Sequence, residues 1–340
     1  MKQIWISQTG NPDVLEIREA PDPLPHRGEV RIRVERAGIN FADIMARLGL
    51  YPDAPKLPAV VGYEVAGQID AIGENVTGWQ LGDDVIAFTR FGGYSDQVVV
   101  PINQVLKRPT GMSADEGAAL PVNYITAYEM LVSCGRIRPG DRVLIHQAAG
   151  GVGLAALEIC RIFGAETYGT ASAGKHAFLK ERGLDHPIDY RTTDFAEEIK
   201  RLTANRGVHV ILDPVGGDSW RKGWDILAPT GRLIMFGFSS MASGKERSLR
   251  RVVESLLSTP WFKFNPLNLM NANKGIIGVN LGHLWHEADL LNQWMQQVLA
   301  WYVEGKIHPH VDRVFDFADV AQAHSYIQER KNVGKVLLKP

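Results

Sequence analysis

One short stretch decides the fold: AAGGVG, residues Ala148–Gly153. It comes one residue after the apolar run Val143–His146 and begins a helical pattern that extends to Phe163. The stretch fits the motif G-x-G-x-x-G with alanine at the first glycine. Small residues let the chain turn sharply and let backbone amides approach a pyrophosphate, while the helix N-terminus adds partial positive charge. We therefore predict that a dinucleotide binds at this turn.

Strand and helix patterns alternate on the C-terminal side of the turn. The predicted strands are Thr167–Thr170, a short one near Ile188, His209–Asp213, Arg232–Phe236 and Gly275–Asn280. The predicted helices are Asn123–Cys134 ahead of the turn and Val152–Phe163, Gly174–Glu181, Phe195–Thr203 and Trp220–Leu227 after it. Strands that alternate with helices at this spacing indicate an α/β domain with a parallel, doubly wound sheet.

The first 121 residues have a different pattern, with short β-branched runs bounded by Gly, Pro and Asp. The predicted strands there are Val30–Val34, Glu64–Ile69, Val85–Thr89 and Gln97–Val100, and a short helix is predicted at Asn40–Leu48. This predicts a β-rich first domain with barrel-like connections. The last part of the chain adds helices near Leu290–Val303 and Val320–Arg330 and a strand at Val336–Leu338.

Composition excludes several classes of protein. The 340 residues include 37 Lys plus Arg and 38 Asp plus Glu, so the net charge is -1 and nucleic acid is not expected as a main partner. The two cysteines, Cys134 and Cys160, lie 26 positions apart and form neither a disulfide framework nor a C-x-x-C site. We find no secretory signal pattern and no spanning apolar segment, so the expected compartment is the cytoplasm.

The residues after the second predicted strand indicate which dinucleotide binds. An NAD site carries a carboxylate about 20 residues after the turn. Here the position twenty residues after Gly150 is Thr170, and Thr167–Lys180 contains no Asp or Glu. It contains Ser172 and Lys175, whose hydroxyl and ammonium suit a 2′-phosphate. The stretch favours NADPH, and the alternative is that Lys175 is an ordinary surface lysine.

The segment Ser239–Lys274 interrupts the alternation of strands and helices. It contains a basic run and an aromatic stretch, Lys245, Arg247, Arg250, Arg251, Trp261, Phe262 and Phe264. We interpret it as a long connection with one helix. A lid or a contact with a membrane surface is the alternative.

Motifs along the whole chain resemble the medium-chain dehydrogenase/reductase superfamily. They are Ala37–Asp43, Arg47–Pro52, Gly62–Gly67, Phe91–Tyr94, Leu120–Tyr128, the glycine-rich turn and Asn332–Lys335. Four segments resemble its zinc-free quinone oxidoreductases most: Leu120–Tyr128, Thr170–Ser172, Ile188–Tyr190 and Asp213–Gly217. Within that group the nearest branch is the one named after the synaptic-vesicle amine-transport protein.

The resemblance implies two domains. A GroES-like β-barrel domain for substrate and catalysis would comprise residues 1–123 and 284–340, and a Rossmann NADP-binding domain would comprise residues 124–283. The active site would lie in the cleft between them, at the carboxyl ends of the strands. Zinc-dependent members carry a cysteine at the position of Asn40 and a histidine at that of Tyr63, so the resemblance implies an enzyme without a metal.

The resemblance also implies where NADP(H) binds. The cofactor-binding residues would be Asn123, Thr126, Ala149, Gly150, Gly151, Val152, Thr170, Ser172, Lys175, Tyr190, Gly237, Phe238 and Asn332. By the same resemblance, Gly275–Asn280 would be an edge strand that pairs with its two-fold mate in a homodimer.

Catalysis without a metal must depend on the cofactor's hydride and on a donor to the acceptor's oxygen. Tyr51 is the candidate donor, with Asn40 and Asp43 expected beside it; the alternative is that Tyr51 only packs. The expected activity is NADPH-dependent reduction of quinones or α,β-unsaturated carbonyls. The alternatives are an enoyl-thioester reductase and a low-turnover protein that binds NADPH or lipid.

Overall fold

The structure, a computed structural model, describes residues 1–242, 257 and 265–340. The chain divides into two compact units. The described part of the first is Met1–Ile125 and Leu281–Pro340, and that of the second is residues 126–242, 257 and 265–280. The basic run and the aromatic stretch of the long connection, residues 245–251 and 261–264, lie outside the described residues.

The first unit is built on a seven-stranded sheet and a two-stranded sheet. Its strands, numbered along the whole chain, are β1 (Lys2–Ile6), β2 (Leu15–Glu19), β3 (Glu29–Gly38), β4 (Glu64–Ile72), β5 (Asp84–Phe88), β6 (Gln97–Pro101), β7 (Val105–Lys107), β14 (Val311–Asp316) and β15 (Lys335–Lys339). The larger sheet has the order β14-β15-β3-β4-β5-β7, and β6 pairs with β3. Successive side chains of a strand point to opposite faces of the sheet. On β3, Val30, Ile32 and Val34 share one face, and that face is buried in the core.

Helices complete the first unit. They are α1 (Phe41–Arg47), α2 (Ala114–Ala119), the first residues of α3 (Pro121–Tyr128), α9 (Ala288–Val303) and α10 (Val320–Gln328). The sequence patterns missed α2, whose six residues are too few to show a helical period; a capping box between Ser113 and Glu116 begins it. They also missed strands β1, β2, β7 and β14.

The second unit contains a six-stranded sheet in which every pairing is parallel. Its strands are β8 (Arg142–Ile145), β9 (Glu166–Ala171), β10 (His186–Asp189), β11 (Val208–Asp213), β12 (Leu227–Met235) and β13 (Gly275–Gly278). Its helices are α4 (Gly151–Phe163), α5 (His176–Glu181), α6 (Phe195–Leu202), α7 (Asp218–Ile226) and α8 (Pro266–Ala272). The order β10-β9-β8-β11-β12-β13 is 3-2-1-4-5-6 within the unit, which is the Rossmann order. The α/β fold class is confirmed.

Two predicted elements differ in detail. The helix predicted at Asn123–Cys134 begins earlier, and its last part, Glu129–Cys134, is a π-helix, whose hydrogen bonds span five residues where those of an α-helix span four. The strand predicted at Arg232–Phe236 begins at Leu227. Val208 of β11 pairs with Leu227 of β12, but Val210 pairs with Arg232, so an irregularity divides β12. The alternation of side chains is interrupted there, and the sequence pattern therefore misses the first part of the strand.

Two further features bear on location and assembly. Within residues 1–242, 257 and 265–340, no helix is both long and apolar enough to cross a bilayer. Strand β13 lies at the end of the described sheet, paired on one side with β12. The sequence prediction of an edge strand at Gly275–Asn280 therefore agrees with its place in the sheet.

Candidate functional site

The glycine-rich turn connects β8 to α4 in the second unit. Gly150 is the N-cap of α4, so the first amides of that helix remain available to a ligand. A Cβ on Gly153 would lie 2.5 Å from the carbonyl oxygen of Ala148, closer than real Cβ contacts allow. Gly153 is therefore the third glycine of the motif, the one that lets the helix pack closely against the turn. The turn has the cradle that a pyrophosphate requires.

Thr170 lies against this turn. Its hydroxyl lies 3.1 Å from Nδ1 of buried His146 and accepts a hydrogen bond from the Gln147 amide at 3.2 Å. Its backbone carbonyl accepts from Ala148. The Thr170 side chain thus fixes the shape of the turn, and Ala149, Gly150, Gly151 and Val152 lie on the stretch that it supports.

Ser172 and Lys175, expected at the 2′-phosphate, and Tyr190, expected to bind the cofactor, lie at one edge of the parallel sheet. Ser172 follows β9 directly, and Tyr190 follows β10 directly. Because Ala171 is the register partner of Asp189, the two strands end side by side. Lys175 closes the short 3₁₀ turn that begins at Ser172. No carboxylate follows β9 at this position, which is the arrangement that the sequence predicted for NADPH.

Gly237 and Phe238 follow β12 at the same end of the sheet. The Phe238 ring stacks on Trp220 with centroids 5.0 Å apart. Gly216 has φ +84° and no room for a Cβ, which would lie 1.9 Å from the Phe238 ring. Nearby, Gln147 donates to Ser239 at 2.6 Å. This loop is therefore held closely to the strand ends, where Gly237 and Phe238 are predicted to meet the cofactor.

In the first unit, the site is built around a buried ion pair. The Glu64 carboxylate accepts from the Lys335 ammonium, and both side chains are buried. Asn40 lies between them: its Nδ2 donates to Glu64 at 3.0 Å, and its Oδ1 accepts from Lys335 at 2.8 Å. The other oxygen of Glu64 accepts from the amide of Val122 at 2.7 Å. Strands β4 and β15 and helices α1 and α3 are thus connected through one carboxylate.

Asp43 has no contact with solvent. Its two oxygens accept from the amides of Asn40 at 2.7 Å and Gly62 at 3.0 Å, so it caps α1 and holds the loop before β4. Burial raises its pKa to about 7, against the lowering effects of these bonds and of Lys335. Asp43 thus supports Asn40 from within the fold, whereas the expected place of Asn40 and Asp43 beside Tyr51 stays a prediction.

Tyr51 belongs to a group of four aromatic rings. It is half-buried and meets the ring of Tyr63 edge-on, with centroids 6.4 Å apart. Tyr63 in turn lies 5.6 Å from Phe91 and 6.5 Å from Trp285, nearly parallel to the latter. Burial raises the pKa of Tyr51, so its hydroxyl keeps its proton at neutral pH.

Three other predicted cofactor residues have assigned places in the fold. Asn123 and Thr126 lie on α3 and are almost completely buried, and Asn123 donates to the carbonyl of Ala119 at 3.0 Å. Asn332 donates to the carbonyl of Gly334 at 2.9 Å, just ahead of Lys335. Their cofactor contacts stay a prediction.

Sequence reasoning named the motifs that contain Glu64, Lys335 and Tyr63 but assigned none of the three to the site. Charge is the signal that could have identified Glu64 and Lys335, because a Glu or Lys within an apolar β-strand pattern is rarely buried without a partner. The pairing itself could not be read, because 271 positions separate Glu64 from Lys335.

Two family models match the chain. One, described as alcohol dehydrogenase GroES-like domain, matches residues 26–110, within the first unit. The other, described as zinc-binding dehydrogenase, matches residues 182–338. Together with the parallel sheet, they confirm a GroES-like domain combined with a Rossmann domain.

The residues present do not fit the zinc of that description. Asn40 offers an amide already bonded to Glu64 and Lys335, and Tyr63 offers a phenol whose pKa burial raises far above its ordinary value. Neither is a thiolate or an imidazole, the ligands that zinc prefers. In the described part of the chain, no group of three His, Cys, Asp or Glu side chains could hold a metal ion.

Relatives and solved structures resemble the chain over nearly its whole length. The human synaptic vesicle membrane protein VAT-1 homolog is 44% identical over 329 residues, which are 96% of this chain and 82% of the relative. The Escherichia coli quinone oxidoreductase complexed with NADPH is 28% identical with a TM-score of 0.88 and full coverage of both chains. The CurK enoyl reductase is 32% identical with a TM-score of 0.85, covering 99% of this chain and 98% of its own. The chain therefore belongs to the medium-chain dehydrogenase/reductase superfamily, within the branch of the VAT-1 homologues.

Proposed function

We propose that this protein is an NADPH-dependent, zinc-independent reductase that transfers hydride to quinones or α,β-unsaturated carbonyls. The observation that carries the proposal is the donor set of the first unit. The positions of the zinc ligands hold Asn40 and Tyr63, and Tyr51 keeps a proton to donate. A conjugated carbonyl suits hydride transfer without a metal, because the negative charge delocalises onto an oxygen that a phenol can meet.

The second unit supports NADPH as the hydride donor. The α4 N-terminus and the turn held open by Gly153 would bind the pyrophosphate. Ser172, Lys175 and Tyr190, at the ends of β9 and β10, would bind the 2′-phosphate. The E. coli quinone oxidoreductase was solved with NADPH, which supports NADPH as the cofactor. When bound, NADPH supplies the hydride.

The first unit would receive the charge that develops on the acceptor. Tyr51 would donate a hydrogen bond to the acceptor's oxygen and then its proton, which it would regain from water. Asn40 is held in one orientation by two bonds, to Glu64 and to Lys335, and Asp43 fixes the start of α1 on which Asn40 lies. Such preorganised groups cost no rearrangement at the moment of reaction.

Steady-state NADPH oxidation over quinones, enones and enoyl thioesters tests the proposal. Tyr51→Phe keeps the ring and removes only the donor, so enone kcat should fall by roughly 10²–10³ while KM changes less. Quinone turnover should fall less, because a hydroquinone anion is already stabilised and can take its proton from water. Unchanged rates with both acceptors would assign Tyr51 a packing role.

Two alternatives have specific support. Similarity to the CurK enoyl reductase favours an enoyl-thioester reductase with the same hydride chemistry. The VAT-1 homologues are named as synaptic vesicle membrane proteins and not as reductases, which favours the alternative of a protein that binds NADPH or a lipid with little turnover. The first predicts that enoyl thioesters are the best acceptors, and the second predicts tight NADPH binding with no efficient acceptor in the panel.

Two further proposals concern composition and assembly. Purified protein should carry no stoichiometric zinc, and chelators should leave its activity intact. The edge strand β13 would pair with its mate in a second copy and make a homodimer, which light scattering at micromolar concentration tests. We retain the cytoplasm as the proposed location.

A further inference from the structure

His146 is a buried imidazole at the nucleotide end of the second unit, and the proposed reaction does not use it. It follows strand β8 directly and is only 4% exposed. Its Nδ1 lies 3.1 Å from the Thr170 hydroxyl, and its Nε2 lies 3.8 Å from the Asp213 carboxylate. Thr170 lies near the end of β9 and Asp213 ends β11, the two strands on either side of β8. The imidazole therefore lies between the ends of three neighbouring strands.

The hydrogen bonds around His146 decide which of its nitrogens carries the hydrogen. The Thr170 oxygen accepts from the Gln147 amide at 3.2 Å, and among the described residues Nδ1 of His146 is the acceptor for its hydroxyl hydrogen. Nδ1 is then an acceptor, so the hydrogen of the neutral ring lies on Nε2. Burial lowers the pKa of His146, which keeps the ring neutral at physiological pH.

Asp213 favours the same placement of the hydrogen. Its buried carboxylate accepts from the amides of Val215 at 2.6 Å and Gly216 at 3.2 Å and from the Ser219 hydroxyl, so it holds the loop after β11. At 3.8 Å, Nε2 of His146 is too far for a hydrogen bond, and no other described residue bonds to it. The negative charge nevertheless attracts a hydrogen on Nε2. His146 thus connects the loop after β11 with Thr170.

Gln147, the next residue, has a strained backbone. Its φ is +53°, in the left-handed region that residues other than glycine rarely adopt. The bond from its amide to Thr170 holds it there, and its carbonyl accepts from the Gly150 amide at 2.8 Å. Such strain persists only where surrounding contacts fix it. A rotation at Gln147 would therefore move the turn that is proposed to bind the pyrophosphate.

We propose that His146 is a positioning residue for the dinucleotide: by accepting the hydroxyl hydrogen of Thr170, it leaves the lone pairs of that oxygen for the Gln147 amide and so fixes the shape of the turn. Because His146 is almost completely buried, it acts through Thr170 and not by contact with the nucleotide. The inference rests on the NADPH site of the proposed function and adds a residue to it.

Binding of two nucleotides measures this positioning without turnover. NADPH contains a pyrophosphate, whereas adenosine 2′-monophosphate contains the 2′-phosphate alone. His146→Leu removes the acceptor, so in calorimetric titrations it should weaken NADPH binding about 3- to 10-fold, the worth of one hydrogen bond, and leave adenosine 2′-monophosphate binding unchanged. In His146→Asn the amide oxygen can replace Nδ1, so most of the NADPH affinity should return.

Two further variants separate the role of His146 from a general structural effect. His209→Leu is the matched control, because it removes another imidazole of the same sheet whose Nδ1 accepts a hydrogen bond, from the Arg142 amide at 2.9 Å. It should change neither affinity. Thr170→Val removes the hydroxyl and keeps the shape, so it should weaken NADPH binding at least as much as His146→Leu, and it provides the test if His146→Leu does not fold. The double variant should be no weaker than Thr170→Val.

The tautomer of His146 is an independent measurement. Long-range proton–nitrogen NMR correlations of the parent should show the hydrogen on Nε2, with the resonance identified by its absence from His146→Asn. A hydrogen on Nδ1, unchanged NADPH binding in His146→Leu and Thr170→Val, or an equal loss of both nucleotides would overturn the inference. If the parent binds NADPH in the expected way but oxidises it with no acceptor, the proposed function fails and the role of His146 stands.

Discussion

The turn Ala148–Gly153 in the second unit depends on the small size of its residues. The cluster around Glu64 in the first unit depends instead on the polar bonds that its side chains make. At the turn, the absence of a Cβ on Gly153 lets the helix approach the backbone. In the cluster, one carboxylate accepts from Asn40, Lys335 and the Val122 amide. The first arrangement depends on neighbours in sequence and the second on residues far apart, so mutations should affect them differently.

The largest effect is expected at the buried ion pair. Lys335→Met should lower the free energy of unfolding by about 3–5 kcal/mol, because it leaves the Glu64 charge buried without its partner. Urea denaturation measures this. Lys331→Met is the control, since Lys331 pairs with Glu329 at the surface and should cost less than about 1 kcal/mol. Adding Glu64→Gln should restore part of the loss; if it restores none, the buried charge is not the cause.

The next effect is a pH dependence that belongs to Asp43. Its pKa is about 7 in the folded protein and near 3.8 when unfolded, so between these values the folded state binds more protons. The stabilising contribution is complete below about pH 4 and is lost as the pH rises through 7. Relative to Asp43→Asn, the unfolding free energy of the parent should therefore fall by about 2–3 kcal/mol between pH 5 and pH 8.

Urea melts of both proteins at several pH values check this difference. Asp316→Asn is a suitable control, because Asp316 is exposed at the end of β14. Parallel pH profiles of the parent and Asp43→Asn would mean that the carboxyl stays ionised throughout, held by Asn40 and Gly62.

A smaller effect is expected at the nucleotide turn. Gly153→Ala places a Cβ 2.5 Å from the Ala148 oxygen, and relief of that overlap should cost roughly 1–3 kcal/mol. The distorted turn should also bind NADPH at least about 10-fold more weakly, as fluorescence titration can measure. Gly275→Ala tests the specificity of the effect, because a Cβ there meets its nearest atom at 3.6 Å, an ordinary contact, at the start of β13. Equal affinities of the two variants would show that the turn does not need its third glycine.

The smallest effect concerns the choice between NADPH and NADH. Lys175→Ala should weaken NADPH binding about 10-fold and leave NADH binding unchanged, because the lost charge-assisted bond concerns only the 2′-phosphate. Lys180→Ala, on the exposed part of α5, should change neither affinity. Equal affinity of the parent for both nucleotides would contradict the assignment of Ser172 and Lys175.

The same contrast explains what sequence could predict. The turn follows from its glycine motif, the alternating strands follow from local patterns, and the edge position of β13 follows from the strand order that the resemblance implies; the structure confirms all three. The resemblance identified Asn40, Asp43 and Tyr51 as candidates. Only the structure shows that Asp43 is fully buried and that Tyr63 lies beside Tyr51. The partners of Glu64 could not be predicted, because nothing local distinguishes Lys335 from a lysine at the surface of a strand.

The position of β15 has a consequence for the order in which the protein is made. This strand lies inside the larger sheet, between β14 and β3, and it brings Lys335 to Glu64, 271 residues earlier in the chain. At a translation speed of about 5–20 residues per second, the ribosome finishes β3 and β4 tens of seconds before β15 emerges. During that interval β6 already pairs with Glu29–Arg33 of β3, but Ala37 and Gly38 lack their neighbour β15 and Glu64 lacks its counter-ion. Co-translational folding of the first unit therefore ends only when its last strand has left the exit tunnel.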